Sequence, residues 1–134
     1  MLSPSHFKVD DAWVLFRLNK SPVRAGDEGA FDVVTLMDAA SGCELWRELL
    51  PLGARESWDA QARRLLETAI RLNKKRFPKA ILATKGVLAD FIRSEAVRRG
   101  IRVKSVPLYE LGEITAECRH AFARRLERAH ARDA

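Results

Sequence analysis

The chain has 134 residues, 47% of them hydrophobic and 31% charged, with a net charge of +6, which is typical of one globular domain with its own core. We predict a single domain over 1–134, with a flexible N-terminus at 1–11 and a frayed C-terminus at 131–134. Since no apolar run reaches the ~20 residues of a membrane-spanning helix and no secretory signal is recognisable, we expect a cytoplasmic protein without a membrane partner.

The first half of the chain predicts strands. The segment AWVLFRL (12–18) is rich in aromatic and β-branched residues and precedes the loop NKSPVRAGDEG. The segment FDVVTLMD (31–38) is nearly continuously apolar, as a central strand is, and CELWREL (43–49) follows it after the tight turn AASG. These features predict a β-hairpin. We interpret Asp38 as a residue of its turn, because short carboxylates accept hydrogen bonds from nearby backbone N–H groups.

The second half predicts helices that alternate with short strands. Ser57 is a candidate N-cap for the first amphipathic helix, whose apolar residues recur from Trp58 to Leu72. A helix is predicted over 58–77, a strand over 79–86, a helix over 87–100, a strand over 101–107 and a helix over 108–130. The full order is β-β-β-α-β-α-β-α, which predicts an α/β domain whose mixed sheet carries helices on its faces.

This order and these segments resemble the ribonuclease H-like superfamily, which includes the transposase and retroviral-type integrase cores. AWVLFRL is similar to the first core strand of that family, 31–49 to the integrase hairpin, and KAILATKG (79–86) to the strand before the second catalytic position. The resemblance extends from Trp13 to the C-terminus and implies a three-layer fold with a mixed sheet. The residue pattern is also similar to that of small bacterial proteins of unknown function, and this resemblance implies no mechanism.

The same resemblance implies that the catalytic carboxylates of the family are missing. Its enzymes use two Mg²⁺ or Mn²⁺ ions ~4 Å apart, held by carboxylates from several elements. Where the first of these acids is expected the chain has Arg17, and where the second is expected it has Lys85. Carboxylates are available only on the last helix, at Glu110, Glu113 and Glu117, and one helix cannot surround two cations.

The histidines and cysteines indicate no further site. His120 and His130 are ten residues apart on the last predicted helix, about 15 Å by helix rise, which is too far for one shared ion. Cys43 and Cys118 lack the spacing of metal ligands, so we expect two reduced thiols. We therefore predict neither a bound metal nor another cofactor.

The charge is unevenly distributed along the chain. Residues 1–54 have a net charge of −3, and the remaining 80 residues have a net charge of +9. A basic surface is available to an anionic partner such as nucleic acid, although a solvated helix face is the alternative. The candidate nucleic-acid-binding residues lie on the predicted helices and are Arg63, Arg64, Arg71, Lys74, Lys75, Arg124, Arg125 and Arg128.

Trp46 is the candidate interface residue, because charged neighbours on the hairpin place it on a polar face and exposed tryptophans commonly anchor interfaces. Our first hypothesis is a non-catalytic ribonuclease H-like domain that acts as an interaction or assembly module and forms a homo-oligomer. If Trp46 is exposed, we expect the hairpin to form an edge-to-edge or a helix-covered homodimer. The first alternative is a nucleic-acid-binding protein that uses the basic helices. The second is a divergent, metal-dependent, nuclease-like enzyme that uses Asp38 with the glutamates of the last helix.

Overall fold

A computed structural model of the chain describes residues 1–24, 26–53, 58–85 and 88–133. These residues form an α/β domain with one mixed, open sheet of six strands and with three α-helices, which confirms the predicted class. The strands are β1 (Ala12–Arg17), β2 (Val23–Arg24), β3 (Ala30–Asp38), β4 (Glu44–Pro51), β5 (Ala80–Ala83) and β6 (Arg102–Ser105). The helices are α1 (Trp58–Leu72), α2 (Ala89–Val97) and α3 (Gly112–Asp133). None of the helices in these ranges is long and apolar enough to cross a membrane.

The strand β1 lies at the centre of the sheet. It pairs antiparallel with β3 and parallel with β5. On one side, β3 pairs antiparallel with β4 as the predicted hairpin, and on the other side β5 pairs parallel with β6. The resulting order is β4-β3-β1-β5-β6, and the two-residue strand β2, which the sequence did not predict, pairs with the start of β3. The edges of the sheet are therefore β4 and β6.

Alternating side chains of β1 divide the core into two parts, one on each face of the sheet. Trp13 and Leu15 are fully buried in the larger part, against apolar residues of α1 and α2. Val14 and Phe16 are fully buried in the smaller part, which includes Ile114 of α3. The sheet thus lies between the α1 and α2 pair on one face and α3 on the other.

The first helix ends earlier than the sequence predicts. It was predicted to continue to residue 77, but α1 ends at Leu72, which is 53% exposed although it was predicted on the apolar face. Lys74 and Lys75 have φ angles of 56° and 63°, the left-handed conformation that commonly ends helices. The N–H of Lys75 donates to the Ile70 carbonyl at 2.9 Å, so the chain turns away from the helix axis here. The predicted N-cap, Ser57, lies outside the described residues.

The N-terminal segment predicted to be flexible makes defined contacts with the rest of the domain. Ser3 caps a short 3-10 turn over Pro4–His6, and the Leu2 N–H donates to the Glu110 carbonyl at 2.9 Å. Leu2 and Phe7 pack against the smaller core. At the other end, α3 continues to Asp133, through most of the residues predicted to fray.

Candidate functional site

Asp38 is a turn residue, as the sequence predicted. Its side chain is buried, 3% exposed, at the end of β3. One carboxylate oxygen accepts the Asp10 N–H at 2.9 Å. The other oxygen accepts the Ser41 N–H at 2.9 Å and the Ser41 hydroxyl at 2.7 Å. Because these three donors already occupy the carboxylate, its role in this structure is to hold the hairpin turn.

Two cations lie where the superfamily resemblance would place metal-binding carboxylates. The parallel pairing of Leu15 with Ala83 brings the carboxyl ends of β1 and β5 to the same end of the sheet. The two strands continue there to Arg17 and Lys85. Arg17 forms an ion pair with Asp32, with an N–O distance of 3.7 Å, and Lys85 is exposed. Of the two cations at this end of the sheet, Arg17 is therefore paired with a carboxylate, whereas Lys85 is not paired with another described residue.

The carboxylates predicted for a divergent nuclease-like enzyme do not come together, so that arrangement is wrong. Asp38 pairs with Trp13 at the amino end of β1, whereas Glu110 follows β6 at the carboxyl end of the parallel strands. Glu110 lies 3.5 Å from the N-terminal ammonium group. Within the ranges that the structure describes, no three His, Cys, Asp or Glu side chains are grouped so that they could hold a metal ion.

Glu44 of β4 is the centre of a polar cluster between the hairpin and α3 that the sequence did not predict. It accepts hydrogen bonds from Thr35 at 2.9 Å, from Arg47 at 2.9 Å and from the Cys118 thiol at 3.3 Å. Burial opposes ionisation of Glu44, but the hydrogen bonds outweigh it and lower the pKa of the carboxyl. Burial, together with the Glu44 carboxylate, raises the pKa of Cys118 to about 11. The cluster therefore holds α3 on the sheet and keeps the Cys118 thiol protonated.

Two of the eight predicted nucleic-acid-binding residues are engaged in ion pairs within the domain. The Arg63 Nε atom lies 3.1 Å from the Glu95 carboxylate, which links α1 to α2. Arg64 donates two hydrogen bonds to Glu48 of β4, at 3.0 and 2.9 Å. Part of the charge of Arg63 and Arg64 is therefore already neutralised by internal carboxylates.

The other six predicted basic residues are exposed, and none forms an ion pair with another described residue. They are Arg71, Lys74, Lys75, Arg124, Arg125 and Arg128. The first three lie at the end of α1 and the last three on α3, and these two helices cover opposite faces of the sheet. The structure therefore forms two separate basic surfaces, not one.

Trp46 lies on β4, where the side chain is 42% exposed and its indole N–H donates to Glu48 at 3.0 Å. Trp46 is thus partly exposed, and its role at an interface stays a prediction. Leu49, also on β4, is 56% exposed. In the described part of the chain β4 pairs only with β3, which leaves its outer edge open. An eight-residue strand with two exposed apolar side chains is thus available at this edge.

A groove of about 930 Å³ lies between α3 and the loop that joins β1 to β2, at the carboxyl end of β1. The loop contributes Asn19 and Lys20, β2 contributes Arg24, and α3 contributes Arg119. None of these four residues was predicted from the sequence to belong to a site. No local signal could have revealed the groove, because its two walls are about 100 residues apart in the chain.

Comparison with known proteins places the chain in no family: neither a protein-family model nor a curated protein sequence matches it. Three features of the structure bear on the function. These are the cations at the carboxyl ends of β1 and β5, the open edge of β4, and the groove beside α3.

Proposed function

We propose that the chain is a non-catalytic ribonuclease H-like domain that acts as an assembly module by pairing with a second copy of itself through β4. The observation that carries this proposal is the open outer edge of β4, flanked by exposed Trp46 and Leu49. A homodimer built on an edge strand needs only the same strand from each copy, because the same surface patch serves both partners.

Two features support the ribonuclease H-like and non-catalytic parts of the proposal. The central strand β1 is antiparallel to the hairpin and parallel to β5 and β6, with helices on both faces. Arg17 and Lys85 at the carboxyl ends of β1 and β5 would repel the divalent ions that the superfamily's enzymes use.

The two edges of the sheet differ in a way that favours β4 as the paired edge. The strand β6 has four residues and exposes Arg102 and Lys104, and cations on a short edge strand discourage pairing with another chain. The strand β4 has eight residues, which corresponds to about 27 Å of backbone, and it exposes apolar side chains. Edge pairing through β4 would remove part of this apolar surface from water.

The open edge of β4 carries backbone N–H and C=O groups that could hydrogen-bond to another strand. The Leu52 N–H donates to the Ala30 carbonyl at 3.0 Å, and hydrogen-bonding direction alternates along an antiparallel strand. Counting back from Leu52, the amides of residues 46, 48 and 50 face β3, and those of Arg47 and Leu49 face outward. Antiparallel contact with β4 of a second copy would satisfy these outward groups and extend the sheet across the dimer.

Analytical ultracentrifugation over a range of protein concentrations tests the assembly. We expect a concentration-dependent dimer that becomes monomeric in Trp46→Ser and in Leu49→Lys. The matched control is Val97→Lys, because Val97 is 63% exposed but lies on α2, away from the edge. A monomer at every concentration would contradict the proposal, as would a dimer that both β4 variants leave unchanged.

Incubation with RNA–DNA hybrid and single-stranded DNA in Mg²⁺ or Mn²⁺ tests the absence of catalysis. We expect no metal-dependent cleavage, because cations occupy the carboxyl ends of β1 and β5. Cleavage by the purified protein that is lost in Glu110→Gln would overturn this part of the proposal.

The exposed arginines of α3 favour nucleic-acid binding as a second candidate function. Arg124, Arg125 and Arg128 have no ion-pair partner among the described residues, and Arg124 and Arg128 are one helical turn apart. If each contacts one phosphate of single-stranded DNA, the double variant Arg124→Gln/Arg128→Gln lowers the slope of log affinity against log salt by about 1.4. Arg63→Gln is the control, because Arg63 is bound to Glu95. No binding at low salt would eliminate this candidate.

A further inference from the structure

We propose that the groove between α3 and the β1–β2 loop binds a small molecule with an apolar body and one carboxylate. The groove lies at the carboxyl end of β1, where Leu18 and Asn19 line it. Crevices at the carboxyl ends of parallel strands are the usual ligand sites of open α/β sheets. The site does not involve β4, so it is independent of the proposed assembly.

The size and the apolar lining of the groove suit the body of such a ligand. Its volume of about 930 Å³ is within the range of small-molecule sites. Val23 of β2 and Phe122 and Leu126 of α3 line it, together with Leu108 and Tyr109, which are both exposed. A ligand seated here would cover apolar surface that water contacts in the free protein.

The charged residues of the groove predict that the ligand is an anion. Lys20, Arg24 and Arg119 are cationic, whereas Glu127 is the one carboxylate of the described lining. None of the three cations forms an ion pair with another described residue. An apolar cleft with excess positive charge attracts and holds an anion better than an open surface does, because low-dielectric walls focus the field.

Arg119 is the residue that we expect to contact the carboxylate. Its Nε atom is buried, and it has no hydrogen-bond partner within the described part of the chain. A buried guanidinium N–H without an acceptor is costly, and a carboxylate oxygen is its most favourable acceptor. Arg119 is partly exposed and lines the groove, so a carboxylate bound there would give its guanidinium an acceptor.

The other buried polar groups of the wall already have partners. Asn19 donates to the Ser21 carbonyl and to Asp32, and it accepts the Val33 N–H at 2.8 Å. The Thr115 hydroxyl donates to the Leu111 carbonyl at 2.9 Å. The Arg119 Nε atom is thus distinguished from the other buried polar groups of the described lining, which is why we place the carboxylate of the ligand at Arg119.

Amide NMR spectra of the full chain titrated with naphthoate test the proposal, with naphthylmethanol as the uncharged counterpart. We expect naphthoate to shift the amides of the β1–β2 loop and of α3, and naphthylmethanol to bind about tenfold or more weakly because it lacks the charge. Arg119→Gln should weaken the binding of naphthoate by a similar factor, and Arg119→Lys should weaken it by less. The matched control, Arg125→Gln, changes an exposed arginine of the same helix outside the groove and should leave binding unchanged.

Thermal unfolding separates ligand binding from a structural role of Arg119. Because its Nε atom has no described partner, Arg119→Met should leave the melting temperature of the free protein unchanged or raise it, while it weakens naphthoate binding about tenfold or more. No binding of naphthoate, equal binding of the alcohol, or an unaffected Arg119→Gln variant would each overturn the proposal. Displacement of naphthoate by an oligonucleotide, with the same dependence on Arg119, would assign the groove to nucleic acid instead and also overturn it.

Discussion

The backbone N–H of Asp10 donates to the carboxylate of Asp38 at 2.9 Å, across 28 positions of sequence. The Asp10 carboxylate in turn accepts the Trp13 indole N–H at 3.2 Å and the Asn73 amide at 3.0 Å. One hydrogen-bonded network therefore joins the segment before β1, the turn of the hairpin and the end of α1. It accounts for the defined position of a segment that the sequence predicted to be flexible.

Asp38→Ala should destabilise the domain by about 2–3 kcal/mol, because it removes a buried carboxylate that accepts hydrogen bonds from the backbone N–H groups of Asp10 and Ser41. Ser41→Ala is the control. It removes the hydroxyl donor but not the backbone ones, and it should cost about 1 kcal/mol. Urea denaturation of both variants measures the difference, and an Asp38→Ala variant as stable as the wild type would show that the carboxylate does not hold the turn.

Glu95 of α2 should contribute stability that depends on pH. This carboxylate is 5% exposed and accepts hydrogen bonds from Arg63, Arg98 and Arg99. The Arg99 hydrogen bond is the largest influence that lowers the pKa of Glu95, and burial opposes it. Because the folded pKa is below the unfolded value of about 4.3, the contribution is complete above that value and is lost as pH falls through the folded pKa.

Glu95→Gln should therefore lower the free energy of unfolding at pH 7 by about 1–2 kcal/mol, since the arginine partners are partly exposed to solvent. The difference from the wild type should shrink below about pH 4. Glu67→Gln is the control, because Glu67 is itself exposed and pairs only with Arg99 among the described residues. Chemical denaturation across pH measures both, and a Glu95→Gln deficit that does not change with pH would contradict this account.

The two cysteines should differ in reactivity. Cys43 is exposed, whereas burial raises the pKa of Cys118 to about 11, so at pH 8 only about 0.1% of Cys118 is thiolate. A thiol reagent should modify one equivalent quickly, and Cys43→Ser should abolish that fast phase while Cys118→Ser retains it. In denaturant both thiols should react. A fast phase that disappears in Cys118→Ser would contradict the assignment.

The same raised pKa of Cys118 predicts that stability falls at alkaline pH. The unfolded thiol ionises near pH 8.5, about 2.5 pH units before the folded one, so the contribution is complete below that pH and is lost as pH rises toward 11. Cys118→Ala should remove this dependence. Denaturation between about pH 8 and 10.5 measures it, with Cys43→Ala as the control.

Lys75→Gly should stabilise the end of α1. An L-residue in the left-handed conformation costs about 1–2 kcal/mol, and the larger backbone entropy of glycine offsets about 0.5–1 kcal/mol of the gain. We therefore expect the free energy of unfolding to rise by about 0.5–1 kcal/mol. Lys79→Gly is the control, because Lys79 is exposed and has no positive φ. A Lys75→Gly variant that unfolds more easily than the wild type would contradict the geometry.

Much of the fold follows from local patterns in the sequence. The nearly continuous apolar run of β3, the turn after Asp38 and the buried stripe of α1 each depend on residues close together in the chain. The end of α1 was not predicted correctly. The helix ends at the left-handed residues Lys74 and Lys75 and at the hydrogen bond from Asn73 to Asp10, and the segment RLNKKRF alone does not indicate a hydrogen-bond partner 63 positions away. Trp46 was correctly expected to be exposed because its charged neighbours are adjacent in sequence.

The sequence by itself determined which segments form helices and which form strands, and that residues 17 and 85 are cations. Backbone preference and side-chain charge are local properties. Only the tertiary structure decided which of the basic residues form ion pairs within the domain. It also decided that Arg119 lies in the same groove as a loop about 100 residues away in the chain. Ion pairs, open strand edges and grooves depend on distances between segments that are remote in the chain. Those distances are set by how the sheet and helices pack together, and a linear pattern does not encode them residue by residue.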